Sequence, residues 1–178
     1  MERKIRHKKI WFKSKLKMIN YKNESKKYRP QLIKTLLIGE APPPNGKTYF
    51  YIPKKLSLGR TIEDDTSLPS TIFNHYFHKR PESIEEYEKF LMQLKDADIF
   101  LIDIINEPIP IRGNKENENY LITQIPQLKE RIKSMDIYLD EGKWIFLLAR
   151  NSYKKYLNQE FPMAKKIRWK DFRLNNYP

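Results

Sequence analysis

Residues 35–42 read Thr-Leu-Leu-Ile-Gly-Glu-Ala-Pro. This stretch predicts the central strand of the fold, and the other predicted elements are arranged around it. Its first four residues form a short apolar run that ends at Gly39, which is the pattern of a buried strand in a parallel sheet. Similar runs at residues 98–105 and 143–149 predict two further buried strands. Residues 167–172 predict a fourth strand, at an edge of the sheet.

Helices are predicted between these strands. One spans residues 66–77, and the clearest begins at Ser83, because Ser83 and Glu86 have the spacing of a capping box. A third spans residues 118–135, with a break or a late start at Pro126. A short fourth helix is capped by Asn151 or Ser152 and ends at Leu157. This alternation predicts an α/β fold, a three-layer α/β/α sandwich with a short, mostly parallel four-stranded sheet.

Length and composition predict one domain. The 178 residues are 39% hydrophobic and 32% charged, which is the composition of a chain that builds one core. The absence of cysteine excludes disulfides, thiolate catalysis and cysteine-based zinc sites, and it makes the reducing cytoplasm the expected compartment. No apolar run approaches the length of a membrane span, and no apolar segment follows the basic N-terminus as in a secretory signal.

Charge is segregated along the chain. The net charge of +13 is made of +10 over residues 1–30, −4 over residues 31–142 and +7 over residues 143–178. We therefore predict a basic N-terminal arm over residues 1–30, partly helical, and a single α/β/α domain over residues 31–178. A focused positive field suits a polyanion, so nucleic acid is the expected partner, DNA more than RNA. The residues expected on the DNA backbone are Lys4, Arg6, Lys8, Lys9, Lys13, Lys165, Lys166 and Arg168.

Polar side chains follow the three buried strands. The first strand runs into Glu40, the second contains Asp103 and runs into Asn106, and the third runs into Arg150 and Asn151. Ligands of parallel sheets bind at the carboxyl ends of the strands, so these residues form a candidate site. Tyr49 and Phe50, in the loop after the first strand, supply aromatic faces on which a base can stack.

The segment Leu36-Leu-Ile-Gly-Glu-Ala-Pro42 resembles the first motif of the uracil-DNA glycosylase superfamily, in the form typical of its iron–sulfur branch. This resemblance covers about residues 35–160 and implies an N-glycosylase that acts on a flipped base. It implies that Glu40 is the catalytic carboxylate, that Asp103 reads the base, and that Tyr49 or Phe50 stacks on it. The other residues expected to bind the base, from this motif and from the strand ends, are Gly39, Ala41, Pro42, Asn106, Arg150 and Asn151.

Three departures from that family pattern change the expectation. The chain lacks the four cysteines of the cluster, so no cofactor or metal is expected, and it lacks the late His-Pro-Ser type motif. Asp103 stands where the family has Asn. A carboxylate only accepts hydrogen bonds and repels the O4 atom of uracil, so uracil is not the expected best base unless Asn106 is the reader.

Two alternatives stay open. The first alternative to the glycosylase is a non-catalytic nucleic-acid-binding member of the same fold. The second is a magnesium-dependent phosphoester hydrolase that uses Glu40, Asp103 and Glu107. His75 and His78 lie three residues apart on a predicted helix, but they have too few suitable partners for a zinc site. Residues 39–48 do not form a phosphate-binding P-loop, because six residues rather than four separate Gly39 from Gly46.

Overall fold

The computed structural model describes residues 19–44, 46, 48–54, 67–109, 114–135, 140–149 and 153–172. Within them the fold is α/β with a four-stranded, all-parallel sheet in the order β2-β1-β3-β4. The strands are β1 (Thr35–Gly39), β2 (Ile99–Asp103), β3 (Trp144–Leu148) and β4 (Lys165–Arg168). The helices are α1 (Tyr21–Lys26), α2 (Leu68–Phe77), α3 (Ile84–Asp96), α4 (Asn114–Lys133), α5 (Lys154–Glu160) and α6 (Trp169–Phe172).

Both faces of the sheet are covered. In the central strand β1, Leu36, Leu37 and Ile38 are each 1% exposed or less. Successive side chains of a strand point to opposite faces, so burial of three in a row requires a layer on each side. The predicted buried strands at 35–39, 98–105 and 143–149 are confirmed, with the second ending two residues earlier than expected.

The helix predicted to begin at Ser83 is confirmed as α3. The Ser83 hydroxyl accepts a hydrogen bond from the backbone N–H of Glu86 at 3.1 Å. The Glu86 carboxylate reaches back to the N–H of Glu82 at 2.7 Å rather than to that of Ser83, so the reciprocal bond is displaced by one residue. The apolar face predicted for this helix is buried: Tyr87, Phe90, Leu91 and Leu94.

The prediction that Pro126 breaks or delays the helix expected at 118–135 is wrong. Helix α4 begins at Asn114 and runs through Pro126 to Lys133. A proline inside a helix costs about 3 kcal/mol, whereas each fully buried Leu or Ile contributes about 1.5–3 kcal/mol. Pro126 is exposed, and four residues of α4 are buried, so packing outweighs the cost of the proline: Leu121, Ile125, Leu128 and Ile132.

The C-terminal predictions need two corrections. Residue Tyr153 occupies the N-cap position of α5 without a side-chain cap bond, and the predicted caps Asn151 and Ser152 lie outside the described residues. The predicted edge strand at 167–172 is strand only to Arg168, and its second half forms α6. The chain turns there because Phe172 is fully buried, with its ring stacked at 4.0 Å on that of His75 in α2.

The outer edge of β2 is closed by a side chain. The Tyr51 hydroxyl accepts a hydrogen bond from the N–H of Leu101 at 2.7 Å and donates one to the carbonyl of Leu101 at 2.8 Å. Tyr51 is 3% exposed, and its ring stacks on that of Tyr28 at 5.8 Å. The loop at 48–54 therefore satisfies backbone groups that no neighbouring strand reaches.

The end of the predicted basic arm packs onto the domain. Tyr21, in α1, and Tyr28 belong to the same buried cluster as the sheet. Residues 1–18 lie outside the described residues, and so do the predicted contacts Lys4, Arg6, Lys8, Lys9 and Lys13. Of the helices that the structure describes, none is both long and apolar enough to cross a membrane.

Candidate functional site

A cleft of about 560 Å³ opens at the carboxyl ends of the strands, where polar side chains were expected. We call it the carboxylate cleft, because Glu40 and Asp103 both line it. Residues from β1, β2 and β3 meet here, since the three strands are parallel neighbours that end at the same edge of the sheet. The other lining residues are Gly39, Ala41, Pro42, Pro43, Pro44, Leu68, Ile109, Asn117, Leu147 and Trp169.

The carboxylate of Glu40 is held by two donors. Its Oε1 atom accepts a hydrogen bond from the N–H of Ala149 at 2.7 Å and another from the hydroxyl of Tyr153. Ala149 follows β3, the neighbour of β1, and Tyr153 precedes α5. Two donors from separate segments fix the position and orientation of the carboxylate, as a preorganised catalytic or binding group requires.

Asp103 lies directly against Gly39. The two residues are register partners of β2 and β1, and a Cβ atom on Gly39 would lie 2.4 Å from the Asp103 Oδ1 atom. Burial raises the pKa of Asp103 to about 7, the charge of Arg131 opposes that rise, and the charge of Glu40 adds to it. The cleft therefore holds one anchored carboxylate and one carboxyl group that titrates near neutral pH.

Replacing Gly39 tests this close approach. We expect Gly39→Ala to lower the free energy of unfolding by about 1–3 kcal/mol, because the new methyl group overlaps the Asp103 carboxylate. Urea unfolding measures the loss. Gly142→Ala is the matched control, since its Cβ would meet nothing closer than 3.8 Å.

The same substitution in an Asp103→Ala background identifies the cause. The remaining neighbour of a Cβ at Gly39 is then the Ile102 carbonyl at 3.8 Å, an ordinary contact, so the cost is expected to fall by more than half. Strictly additive free energies for the two substitutions would show that Asp103 is not what Gly39 accommodates.

The two predicted stacking residues do not line the carboxylate cleft. Phe50 is 4% exposed, and its ring packs on that of Phe73 at 5.5 Å, within the core. Tyr49 lines a second cavity instead, with its ring edge-on to that of Tyr21 at 4.8 Å. Asn106 also lines the second cavity, where its Oδ1 atom accepts a hydrogen bond from Arg131 at 3.0 Å.

The remaining predicted contacts are placed as follows. Arg150 and Asn151 lie outside the described residues. Lys165 is exposed on β4, whereas Lys166 donates a hydrogen bond to the carbonyl of Phe161. Arg168 forms an ion pair with Asp171 at 2.7 Å. The roles of Lys165, Lys166 and Arg168 on a DNA backbone stay predictions.

The sequence did not indicate three residues of the site, of which Asn117 and Trp169 line the cleft and Tyr153 contacts Glu40. Tyr153 orients Glu40 through a hydrogen bond. Trp169 lines the cleft, although the sequence predicts that its segment, residues 167–172, is an edge strand. Asn117 presents a buried Oδ1 atom that has no hydrogen-bond partner among the described residues. Buried polar atoms are rarely left unpaired, so this oxygen is suited to a ligand that donates a hydrogen bond. Asn117 lies in the polar run 114–119, which resembles an ordinary solvated helix face in the sequence.

The described carboxylate and histidine side chains do not form a metal-binding group. Within the part of the chain that the structure describes, no three His, Asp or Glu side chains form a group that could hold a metal ion, and Glu40, Asp103 and Glu107 form none. His75 is buried against Phe172, and His78 is exposed at the end of α2.

The cleft therefore combines a fixed carboxylate, a carboxyl group that exchanges its proton near pH 7, an unpaired amide oxygen and the indole of Trp169. Such a set can stabilise a developing positive charge, transfer a proton and bind a planar ligand that donates hydrogen bonds. Comparison of the chain with protein-family models, with curated proteins and with solved structures found no match.

Proposed function

We propose that the chain hydrolyses the N-glycosidic bond of a nucleotide whose base is bound in the carboxylate cleft. The observation that carries this proposal is the Glu40 carboxylate, fixed by Ala149 and Tyr153 beside the Asp103 carboxyl group. It agrees with the role that the resemblance to the uracil-DNA glycosylase superfamily implies for Glu40. Nucleic acid, and DNA before RNA, is the substrate that the basic composition favours.

The chemistry follows from the two carboxyl groups. As the bond between the sugar C1′ and the base nitrogen breaks, positive charge develops on the sugar and negative charge on the base. The Glu40 carboxylate stabilises the sugar cation and accepts a proton from the attacking water, whose oxygen forms the new bond to C1′. In its protonated form Asp103 donates its proton to the departing base. The products are the free base and an abasic sugar.

A second candidate is binding without catalysis. The observation that favours it is that both donors to Glu40 meet the same Oε1 atom, an arrangement that also ties the end of β1 to β3 and α5. A carboxylate used in this way serves as a structural link. Turnover by the protein separates the two candidates, because a binding protein releases no base.

The deciding experiment uses end-labelled oligonucleotides, single- and double-stranded, that carry uracil, hypoxanthine or xanthine at one position. They are incubated with the protein in EDTA and treated with alkali, which cleaves at abasic sites. Cleavage at the modified base supports the glycosylase. The base that is excised fastest tests the expectation that uracil is not preferred, which holds for an ionised Asp103, since the protonated acid can donate a hydrogen bond to the O4 atom of uracil. Intact DNA that still shifts in a gel supports binding alone, and cleavage that needs magnesium supports a phosphoester hydrolase.

Tyr153→Phe tests the positioning of Glu40. Because a hydrogen bond to a charged group contributes about 1.5–3 kcal/mol, we expect kcat to fall about 10- to 100-fold with little change in KM. Tyr156→Phe, three residues later in α5, is the control and is expected to keep wild-type kcat. Steady-state excision kinetics measure both values. A variant that loses thermal stability but keeps kcat would show that Tyr153 serves only the structure.

A further inference from the structure

A second cavity of about 230 Å³ lies beside the carboxylate cleft and shares Asp103 and Pro42 with it. We call it the basic pocket, because four cationic side chains line it. Lys22 and Lys26 come from α1, Arg29 follows that helix, and Arg131 comes from α4. The pocket also has the hydroxyl groups of Ser25 and Ser134, the side-chain amide of Asn106 and the rings of Tyr21 and Tyr49.

Among the described residues that line this pocket, cations outnumber carboxylates. Asp103 is the one carboxylate among the described residues that line it, against four cations. Arg29 donates a hydrogen bond to the carbonyl of Met135, and Arg131 donates to Asn106 and to the carbonyl of Asp103. Among the described residues none of the four cations forms an ion pair within 4 Å.

Like charges that converge on one cavity repel each other, and the repulsion is stronger where water is partly excluded. An anion in the basic pocket would remove this repulsion. The donors suit an anion with several oxygens, because guanidinium groups form paired hydrogen bonds and ammonium groups act as point charges. The side-chain N–H group of Asn106, whose oxygen already accepts from Arg131, is a further donor. We propose that the basic pocket binds a phosphate group.

The shared wall connects this pocket to the carboxylate cleft. A nucleotide that spans Asp103 and Pro42 would place its phosphate among the cations and its sugar and base near Glu40 and Asn117. This placement rests on the proposed function, whereas phosphate binding itself does not. The phosphate can be the phosphomonoester of a mononucleotide or a phosphodiester within a strand, and both offer the same oxygens to the pocket.

The experiment measures binding to the full chain by isothermal titration calorimetry at low salt. The probes are inorganic phosphate, deoxyuridine 5′-monophosphate, deoxyuridine and a hexathymidylate without terminal phosphates. Lys22→Gln/Lys26→Gln is the test variant, since both side chains are exposed and neither supports the core. Lys89→Gln/Lys143→Gln is the control, because it removes the same charge from exposed positions that line neither cavity.

We expect the test variant to bind its phosphate-bearing probe at least about tenfold more weakly, and the control variant to bind it as the wild type does. Asp103→Asn should act in the opposite direction at pH 8 and tighten binding, because it removes the negative charge from the wall. Binding of the monophosphate but not of the hexathymidylate identifies a phosphomonoester, and the reverse identifies a phosphodiester.

Two outcomes overturn the proposal: no binding of any phosphate-bearing probe, or binding that the two lysines do not affect. These results are separable from failure of the proposed function. Base excision that depends on Glu40 but not on Lys22 and Lys26 leaves the glycosylase and removes the phosphate site. Lysine-dependent phosphate binding without excision of any base leaves the phosphate site and removes the glycosylase.

Discussion

Glu40→Gln is expected to lower the rate of base excision by at least about 10³-fold while it leaves DNA binding nearly unchanged. The amide oxygen of Gln can still accept hydrogen bonds from Ala149 and Tyr153, so the side chain keeps its place. The substitution removes the negative charge that would stabilise the sugar cation, and an amide cannot accept the proton from the attacking water. Loss of an electrostatic contact in the transition state lowers kcat by about 10²–10³, and loss of a general base lowers it further. Single-turnover excision measures the loss.

Glu130→Gln is the control for this experiment. Glu130 is a surface carboxylate of α4, and both it and its ion-pair partner Lys133 are 72% exposed, so its substitution should change neither rate nor stability appreciably. A Glu40→Gln protein that excises bases at the wild-type rate would remove Glu40 from the chemistry. The Oε1 contacts of Glu40 would then be structural.

Asp103→Asn is expected to give the largest change in the pH dependence of stability. Burial raises the pKa of Asp103 from 3.8 to about 7, so the folded protein holds a proton that the unfolded chain releases between these values. Folding therefore becomes less favourable as pH rises from about 4 to 7, and the difference of about 3 pH units corresponds to about 4 kcal/mol. Asn resembles the protonated acid and does not titrate. The variant should match the wild type near pH 4 and exceed its stability at pH 8.

Urea unfolding at several pH values measures this difference. Other groups titrate in both proteins, so the quantity of interest is the free energy of the variant minus that of the wild type at each pH. Arg131 keeps its contacts with the Asp103 carbonyl and with Asn106 in the variant. Asp96→Asn, at an exposed position, should follow the wild-type curve. A constant difference between pH 4 and 8 would contradict a raised pKa at Asp103.

The elements that could be predicted from the sequence are those whose local pattern agrees with their burial. Residues 36–38 of β1 are apolar and are buried on both faces. Ser83 caps α3 through a hydrogen bond to a residue only three positions away in the chain. The errors arose where distant packing overrides local preference. Pro126 sits on the exposed side of a helix that is held by its buried face, and residues 169–172 leave the sheet because Phe172 packs against His75.

Some residues of the candidate site could likewise be predicted from the sequence and others could not. Glu40 and Asp103 could be found because strand ends of a parallel sheet converge, whatever the details of packing. Tyr49 and Phe50 could not be assigned, because sequence does not tell which face of a loop points inward. The basic pocket joins α1 to α4, which are separated by more than 80 residues along the chain, so no local pattern could have indicated it.

The Tyr51 hydroxyl has a consequence for colloidal behaviour. An edge strand with unpaired N–H and C=O groups is a template on which a second molecule can add a strand, the route to fibrils and domain swapping. Tyr51 occupies both groups of Leu101 on one edge of the sheet, and the strand at the opposite edge carries Lys165 and Lys166. A second chain would have to displace a buried phenol on one side or approach two like charges on the other. The sheet is thereby protected against edge-to-edge aggregation.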